Sequence, residues 1–152
     1  MIVEPAAWDD PDVRRLTTDR QTEVRGRYDG KEEPGRPPSA ADVSVVPVAG
    51  MTTRRRSAAE HCALGNGAAV VKRMYVVPAA RGRGVSKAVL AGLEDAARAR
   101  GWTTLRLESG PRQPEAIALY SGAGYRPIGA FGHYVGDPDA EHSLFFEQVL
   151  AA

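Results

Sequence analysis

A single cysteine, Cys62, stands among 152 residues. It has no second thiol in the chain with which to close an intramolecular disulfide, and no cluster of metal-ligating residues surrounds it in sequence. It reads as a small buried hydrophobe, and a reducing, cytoplasmic setting is expected. Charge of one sign is also missing. Twenty Lys and Arg against 19 Asp and Glu leave a formal net charge of +1, so no overall field draws the chain to nucleic acid or to an anionic membrane. Any anion site has to be local. No apolar run approaches the roughly 20 residues that a membrane-spanning helix needs. The opening MIVEPAAWDD has neither the basic flank nor the apolar core of a signal peptide. There are no internal repeats and no low-complexity tract. What is present is 43% hydrophobic and 26% charged, the balance of a soluble globular protein. The length suits one domain over residues 1–152 and allows a sizeable core.

Local patterns order the chain. MIVEP reads as a first strand. Asp10 is placed to cap a helix with Pro11 at its first position. That helix is expected to run to Gly30 on a sparse apolar face of Val13, Leu16, Val24 and Tyr28. KEEPGRPPSA is a Pro/Gly-rich loop. DVSVVPVAG reads as a strand that Pro47 makes an edge or an irregular one. The arginine triplet of MTTRRRS lacks the aromatic interleaving and the length of a nucleic-acid patch, and reads as a solvated hairpin tip. Asn66–Gly67, between the apolar runs AAEHCAL and AAVVKRMYVV, signals a two-residue hairpin turn because both residues tolerate positive φ. Val85, Ala88, Val89, Leu93, Ala96 and Ala97 recur at helical spacing, up to a stop at Gly101. WTTLRLES alternates as a strand. PEAIALYSGAG reads as a further helix, and YRPIGAF and SLFFEQVL as late strands. The loop GHYVGDPDAEH carries His133, His142 and three acids in a spacing that fits no zinc pattern, so no metal is expected. The order of elements predicts one α/β or α+β sheet. Within it, Val70 to Ser109 should form a parallel strand–helix–strand unit with a right-handed crossover.

The sharpest local feature begins at RMYVVPAARGRGVSKAVL. A β-branched run stops at Pro78, two Arg-Gly pairs follow, and a long amphipathic stretch begins. Gly82 and Gly84 let the backbone approach a ligand closely and take φ values that other residues avoid. The helix starting there presents unpaired N–H groups and a partial positive charge. Together these make an anion site suited to a phosphate or pyrophosphate, with Arg81, Arg83 and Lys87 adding formal charge. The same residues would also serve a plain strand-to-helix turn with incidental arginines. A Walker loop is absent, and the Rossmann fingerprint fails because Lys87 stands where a third small residue is needed.

RGRGVS, Arg81 to Ser86, resembles the R/Q-x-x-G-x-G/A signature of the GNAT N-acetyltransferase superfamily, with Ser86 where Gly or Ala is usual. VVKRMYVVPAARGRGVSKAVL is similar to that family's fourth strand and pyrophosphate loop. PEAIALYSGAGYRPIG resembles its A-x-x-L-Y-x-x-x-G-F/Y segment. The resemblance covers residues 43–150, and the first forty match only in helical character. It implies a mixed central sheet, mostly antiparallel with one splayed parallel strand pair, and helices on both faces. It also implies acetyl-coenzyme A as co-substrate. The leading expectation is transfer to a primary amine of a small molecule, by a monomer or homodimer. The pantetheine chain would pair with Met74, Tyr75 and Val76. The pyrophosphate would take backbone N–H groups of Arg81, Gly82, Arg83, Gly84, Val85, Ser86 and Lys87.

The chemistry such a fold runs needs a neutral amine, a stabilised oxyanion and an acid for the departing thiolate. That thiolate is Cys-like, with a pKa of about 8.5, whereas a tyrosine at about 10 stays protonated at neutral pH and can deliver the proton. Tyr120 matches the family's general-acid tyrosine by motif position, and it also fits a core tyrosine on the Ala116–Ile117–Tyr120 face. The oxyanion would meet a backbone N–H near Met74–Val76. Relatives resembling this segment often carry a glutamate two residues before the Lys-Arg pair, where this chain has Val70. Glu108, at the end of the parallel strand, is the candidate base, and it also fits a surface carboxylate at a strand end. His61 ranks below it. An α-amine, with a pKa of about 8, would need only a weak base or a water chain. Tyr28, Phe131 and Tyr134 could wall an acceptor pocket or pack the core. Two other readings stand beside the enzyme of small amines. One is a degenerate acyl-CoA-binding sensor or subunit, for which Val70 speaks and Tyr120 does not. The other is an enzyme modifying protein N-termini or lysines.

Overall fold

The computed structural model describes residues 2–30, 43–51 and 54–150, with residues 2, 43–51 and 54–63 described by their backbone alone. The Pro/Gly-rich loop expected at 31–40 lies outside the described residues, as do the side chains of Cys62 and His61. The elements follow the expected order. They are β1 (Ile2–Ala6), α1 (Pro11–Arg27), β2 (Val43–Met51), β3 (Arg54–Gly65) and β4 (Ala68–Val76), then α2 (Val85–Ala99), β5 (Thr104–Ser109), α3 (Pro114–Gly122), β6 (Arg126–Ile128) and β7 (Leu144–Val149). The strands form one seven-stranded sheet in the order β1-β2-β3-β4-β5-β7-β6. Every neighbouring pair is antiparallel except β4 with β5.

Local chemistry sets the boundaries. The Asp10 carboxylate accepts from the backbone N–H of Asp12 at 2.9 Å, with Pro11 at the helix start. Replacing Asp10 with Ala should cost about 1 kcal/mol of stability, read by urea denaturation. The helix ends at Arg27 rather than Gly30. Asp29 at φ 57° and Gly30 at φ 82° turn the chain left-handed, and the Gly30 N–H returns to the Arg25 carbonyl at 2.8 Å. Asn66 and Gly67, at φ 53° and 76°, form the two-residue turn that pairs Gly65 with Ala68. Positive φ at both central residues matches the twist of the flanking strands.

The hairpin tip expected at MTTRRRS is there but shorter: β2 runs to Met51, β3 begins at Arg54, and these two residues pair. The arginines lie in strand and only residues 52–53 connect. Of the two alternatives that Pro47 offered, the irregular strand holds and the edge strand does not. β2 lies between β1 and β3, with register shifts at Val43/Val45 and Ala49/Gly50. Pro47 sits opposite Pro5, so the two missing N–H donors fall on one rung of the ladder.

The helices cover both faces of the sheet. On one face α2 and α3 bury Val89, Leu90, Leu93 and Tyr120 against Ala69, Val71, Leu105 and Leu107. On the other, α1 packs Val13 and Leu16 on Tyr75. A register shift in β4 makes that second contact possible. Glu60 pairs with Lys72 but Ala58 with Tyr75, so Arg73 and Met74 together oppose Ala59. Arg73 takes φ 55°, a left-handed conformation that is uncommon outside glycine. The extra residue inverts the alternation, so Tyr75 faces α1 while Val71 faces α2. No described helix is long and apolar enough to cross a membrane.

Candidate active site

The parallel pair is short. β4 and β5 are in register only at Ala68↔Thr104, Ala69↔Leu105 and Val70↔Arg106. Beyond Val70 the strands part, leaving Val71 to Val76 without a strand neighbour on the β5 side. A cleft of about 1190 Å³ opens in the gap. That is above the usual range for a drug-sized ligand, so there is room for a long cofactor arm together with an acceptor.

One end of the cleft is the loop between β4 and α2. Gly82 and Gly84 both take φ 75°, and Gly84 caps α2 in the left-handed conformation. An ideal Cβ at either position would meet nothing within 4 Å, so backbone conformation rather than crowding asks for glycine there. No backbone N–H from Gly82 to Lys87 has a backbone partner among the described residues. Free amides at a helix start are the kind of donor that suits an anion. Gly82, Val85 and Ser86 line the cleft, whereas Arg83, Gly84 and Lys87 are not among its lining residues.

The Arg81 side chain has a different task from the one its sequence position suggests. Its Nε donates to the Val76 carbonyl at 2.9 Å, and its Nη2 donates to both oxygens of Glu23 at 2.8 and 2.9 Å. Its guanidinium also lies 5.6 Å from the centre of the Tyr75 ring. The guanidinium therefore ties the loop to α1 and is engaged within the protein, which leaves main-chain amides as the donors the loop offers. Glu23 went unnoticed in the sequence because nothing local links it to a residue 58 positions away.

Tyr120 lines the cleft from α3 and is 5% exposed. Its ring meets Tyr125 edge-on at 5.5 Å. Burial pushes its hydroxyl up to about 12, while the charge of Arg20 pulls the other way. The ring belongs to the core, as one of the two expected readings has it, and the residue also borders the cleft. Met74, Tyr75 and Val76 line the opposite wall on β4. Val70, where relatives often carry a glutamate, is 3% exposed and paired with Arg106 inside the sheet. A carboxylate there would be buried ahead of the splay. Glu108 stands two residues beyond that last pair and lines the cleft. Its charge reaches the Tyr28 hydroxyl, whose pKa is raised first by burial and further by Glu108, against the opposing backbone N–H of Arg112.

Of the weaker acceptor-side candidates, Tyr28 and Tyr134 line the cleft. Tyr134 is buried, with Lys72 Nζ 5.8 Å from its ring centre. Phe131 is not among the lining residues. It packs behind Tyr134 and Phe145, with ring centroids at 5.4 and 5.6 Å. Tyr28 anchors a bridge across the cleft that sequence reasoning missed. Its hydroxyl accepts from the Arg112 N–H at 3.1 Å and donates to Gln113 Oε1 at 3.3 Å. Arg112 Nη1 donates to the Arg27 carbonyl at 2.8 Å and to Asp29 Oδ2 at 3.0 Å, and Arg27 pairs with Glu115. The end of α1 is thereby fastened to the β5–α3 loop. The lone clue in sequence was Tyr28 itself, an aromatic at the polar end of a weakly amphipathic helix.

Comparison with known proteins agrees with this geometry. An "IAA acetyltransferase" from Azospirillum brasilense is 46% identical over 80 residues, which are 53% of this chain and 50% of that protein. The chain thus spans about half the length of this curated relative. A Klebsiella pneumoniae protein assigned as an acyl-CoA N-acyltransferase superposes with a TM-score of 0.83 at 28% identity, covering 99% of this chain and 97% of that one. An acetyltransferase of the GNAT family from Staphylococcus aureus shares the fold, with a TM-score of 0.76 at 13% identity, covering 99% of this chain and all of that one. The model of the acetyltransferase (GNAT) family matches residues 5–125, a span holding the amide-rich loop, the splayed strands and Tyr120, and the chain belongs to that family of N-acetyltransferases, which take acetyl-coenzyme A as co-substrate.

Proposed function

We propose that residues 1–152 act as one domain that moves an acetyl group from acetyl-coenzyme A to a primary amine of a small molecule, by direct attack in a ternary complex. The observation that carries this reading is the splay of β4 from β5. It joins the amide-rich loop at Gly82–Lys87 to Tyr120 and Glu108 through one continuous cleft. The diphosphate would take the loop amides, and the pantetheine would run along Met74 to Val76 as an added strand. The amine would enter from the side of Tyr28 and Tyr134, with Glu108 receiving its proton directly or through water. A backbone N–H of β4 at the bulge would meet the oxyanion.

Tyr120 would face the departing sulfur. A tyrosine at about 12 is a weaker acid than a thiol at about 8.5, so complete transfer of its proton is uphill. Its main contribution is a hydrogen bond to the developing thiolate, with the proton following as the charge collects. The bridge from Tyr28 to Arg112 and Gln113 favours a small acceptor over a polypeptide, because it straps α1 to the β5–α3 loop where an extended chain would have to pass.

Thiol release from acetyl-coenzyme A, measured with a panel of small primary amines and with peptides carrying free N-termini or lysines, tests the reading. Turnover is expected with small amines. Release with peptides alone would assign the acceptor to proteins, and tight coenzyme A binding with no release for any amine would favour a sensor.

A further inference from the structure

Ser109 interrupts a core pattern. On β5 the inward positions are Leu105, Leu107 and Ser109, which are 0%, 1% and 5% exposed. The two leucines belong to the cluster that holds Tyr120. Alternation puts Ser109 on that same face of the sheet, and it lines the cleft. Its hydroxyl is buried and has no hydrogen-bond partner among the described residues. A buried hydroxyl left without a partner opposes folding, and such groups call for an explanation. Here the position offers one. Ser109 lies three residues beyond the last β4–β5 pair, Val70↔Arg106, roughly 10 Å into the splay at the rise of a strand. Counted from that pair, it is level with the bulge at Arg73–Met74, where the thioester would sit.

We propose that the Ser109 hydroxyl donates a hydrogen bond to the sulfur of the departing coenzyme A thiolate, beside Tyr120. This rests on the acyl-transfer reading above. As the amine nitrogen forms its bond to the carbonyl carbon, the C–S bond breaks and its electron pair goes to sulfur. The ammonium proton leaves toward Glu108 or water. Ser109 keeps its own proton throughout and supplies a second donor to an anion that Tyr120 protonates only reluctantly. Charge-assisted bonds of this kind are stronger than neutral ones, so the interaction gains most where charge builds up, in the transition state.

The test uses the full chain and Ser109→Ala, with Ser109→Thr as the variant that retains a hydroxyl. Coenzyme A and desulfo-coenzyme A, which lacks the sulfur, are titrated by calorimetry at pH 9, where most of a thiol with a pKa of about 8.5 is ionised. Wild type should bind coenzyme A more tightly than the desulfo form, and Ser109→Ala should reduce that preference roughly tenfold. Its kcat should fall by a similar factor, KM for acetyl-coenzyme A should move by less than about twofold, and its Tm should stay level or rise. Ser109→Thr should recover most of the kcat. An Ala variant that keeps both the wild-type preference and the wild-type kcat removes Ser109 from the sulfur. So does a change confined to KM, which would place the hydroxyl on the pantetheine arm instead. Wild type that binds neither ligand overturns the acyl-transfer reading and this inference with it.

Discussion

Tyr120→Phe should lower kcat by about a hundredfold or more, the range in which a positioned acid contributes, with KM for acetyl-coenzyme A within about twofold. The substitution removes one oxygen and little else. The ring would keep its edge-on contact with Tyr125 at 5.5 Å and its place against α2 and β5. Deleting an interaction made mainly in the transition state lowers kcat and leaves substrate affinity alone. The pH behaviour provides a second check. With the hydroxyl pushed up to about 12 by burial, Tyr120 remains protonated between pH 8 and 10, so it should produce no alkaline fall in rate there. Stability responds differently. The folded protein holds this proton where the unfolded chain, titrating at about 10, has released it. The associated stability is intact below pH 10 and lost as pH rises from 10 to about 12, by roughly 3 kcal/mol for a shift of this size. Urea denaturation at pH 9 and pH 11 should show about half of this drop in wild type and a smaller one in Tyr120→Phe, where buried Tyr125 still contributes in the same direction. Unchanged turnover in the Phe variant would remove the hydroxyl from the reaction.

The parts of the site that were legible in the sequence are those written in backbone conformation. Gly82 and Gly84 announced a left-handed turn ahead of a helix, and both take φ 75°. Asn66–Gly67 announced a tight hairpin, and the alternation of WTTLRLES gave β5 its inward leucines. What escaped was of two kinds. Contacts between side chains far apart in sequence leave no local trace: Arg81 reaches Glu23 across 58 positions and Tyr28 reaches Gln113 across 85. The bulge at Arg73 escaped because the residue forced into positive φ is an arginine, whereas the usual signal for such a position is glycine or asparagine. Ser109 lies between these cases. Its place in the period-2 pattern was plain, and a serine where a third core residue was due was the available sign that the strand end serves something other than packing.

Gly110→Ala is expected to break the bridge that closes the acceptor side. An ideal Cβ on Gly110 would lie 1.8 Å from Tyr28 Oη and 2.4 Å from its Cζ, far inside van der Waals contact. Shortening Tyr28 to Phe would not relieve this, since the ring carbon itself is too close. The ring must swing away, and its bonds to the Arg112 N–H and Gln113 Oε1 are lost with it. Two such hydrogen bonds are worth about 1–3 kcal/mol of stability. The Arg112–Asp29 and Arg27–Glu115 pairs are more exposed and contribute less. The functional consequence should fall on the acceptor: KM for the amine should rise about tenfold, with KM for acetyl-coenzyme A little changed, because the loop amides and β4 lie on the far side of the cleft. A double-mutant cycle isolates the cause. Tyr28→Ala removes both the colliding ring and the bridge, so adding Gly110→Ala to it should cost almost nothing further. The coupling between the two should then approach the full cost of Gly110→Ala alone. Additive costs in urea denaturation would mean that the glycine matters for some reason other than the tyrosine, and that Tyr28 does not hold this wall of the site.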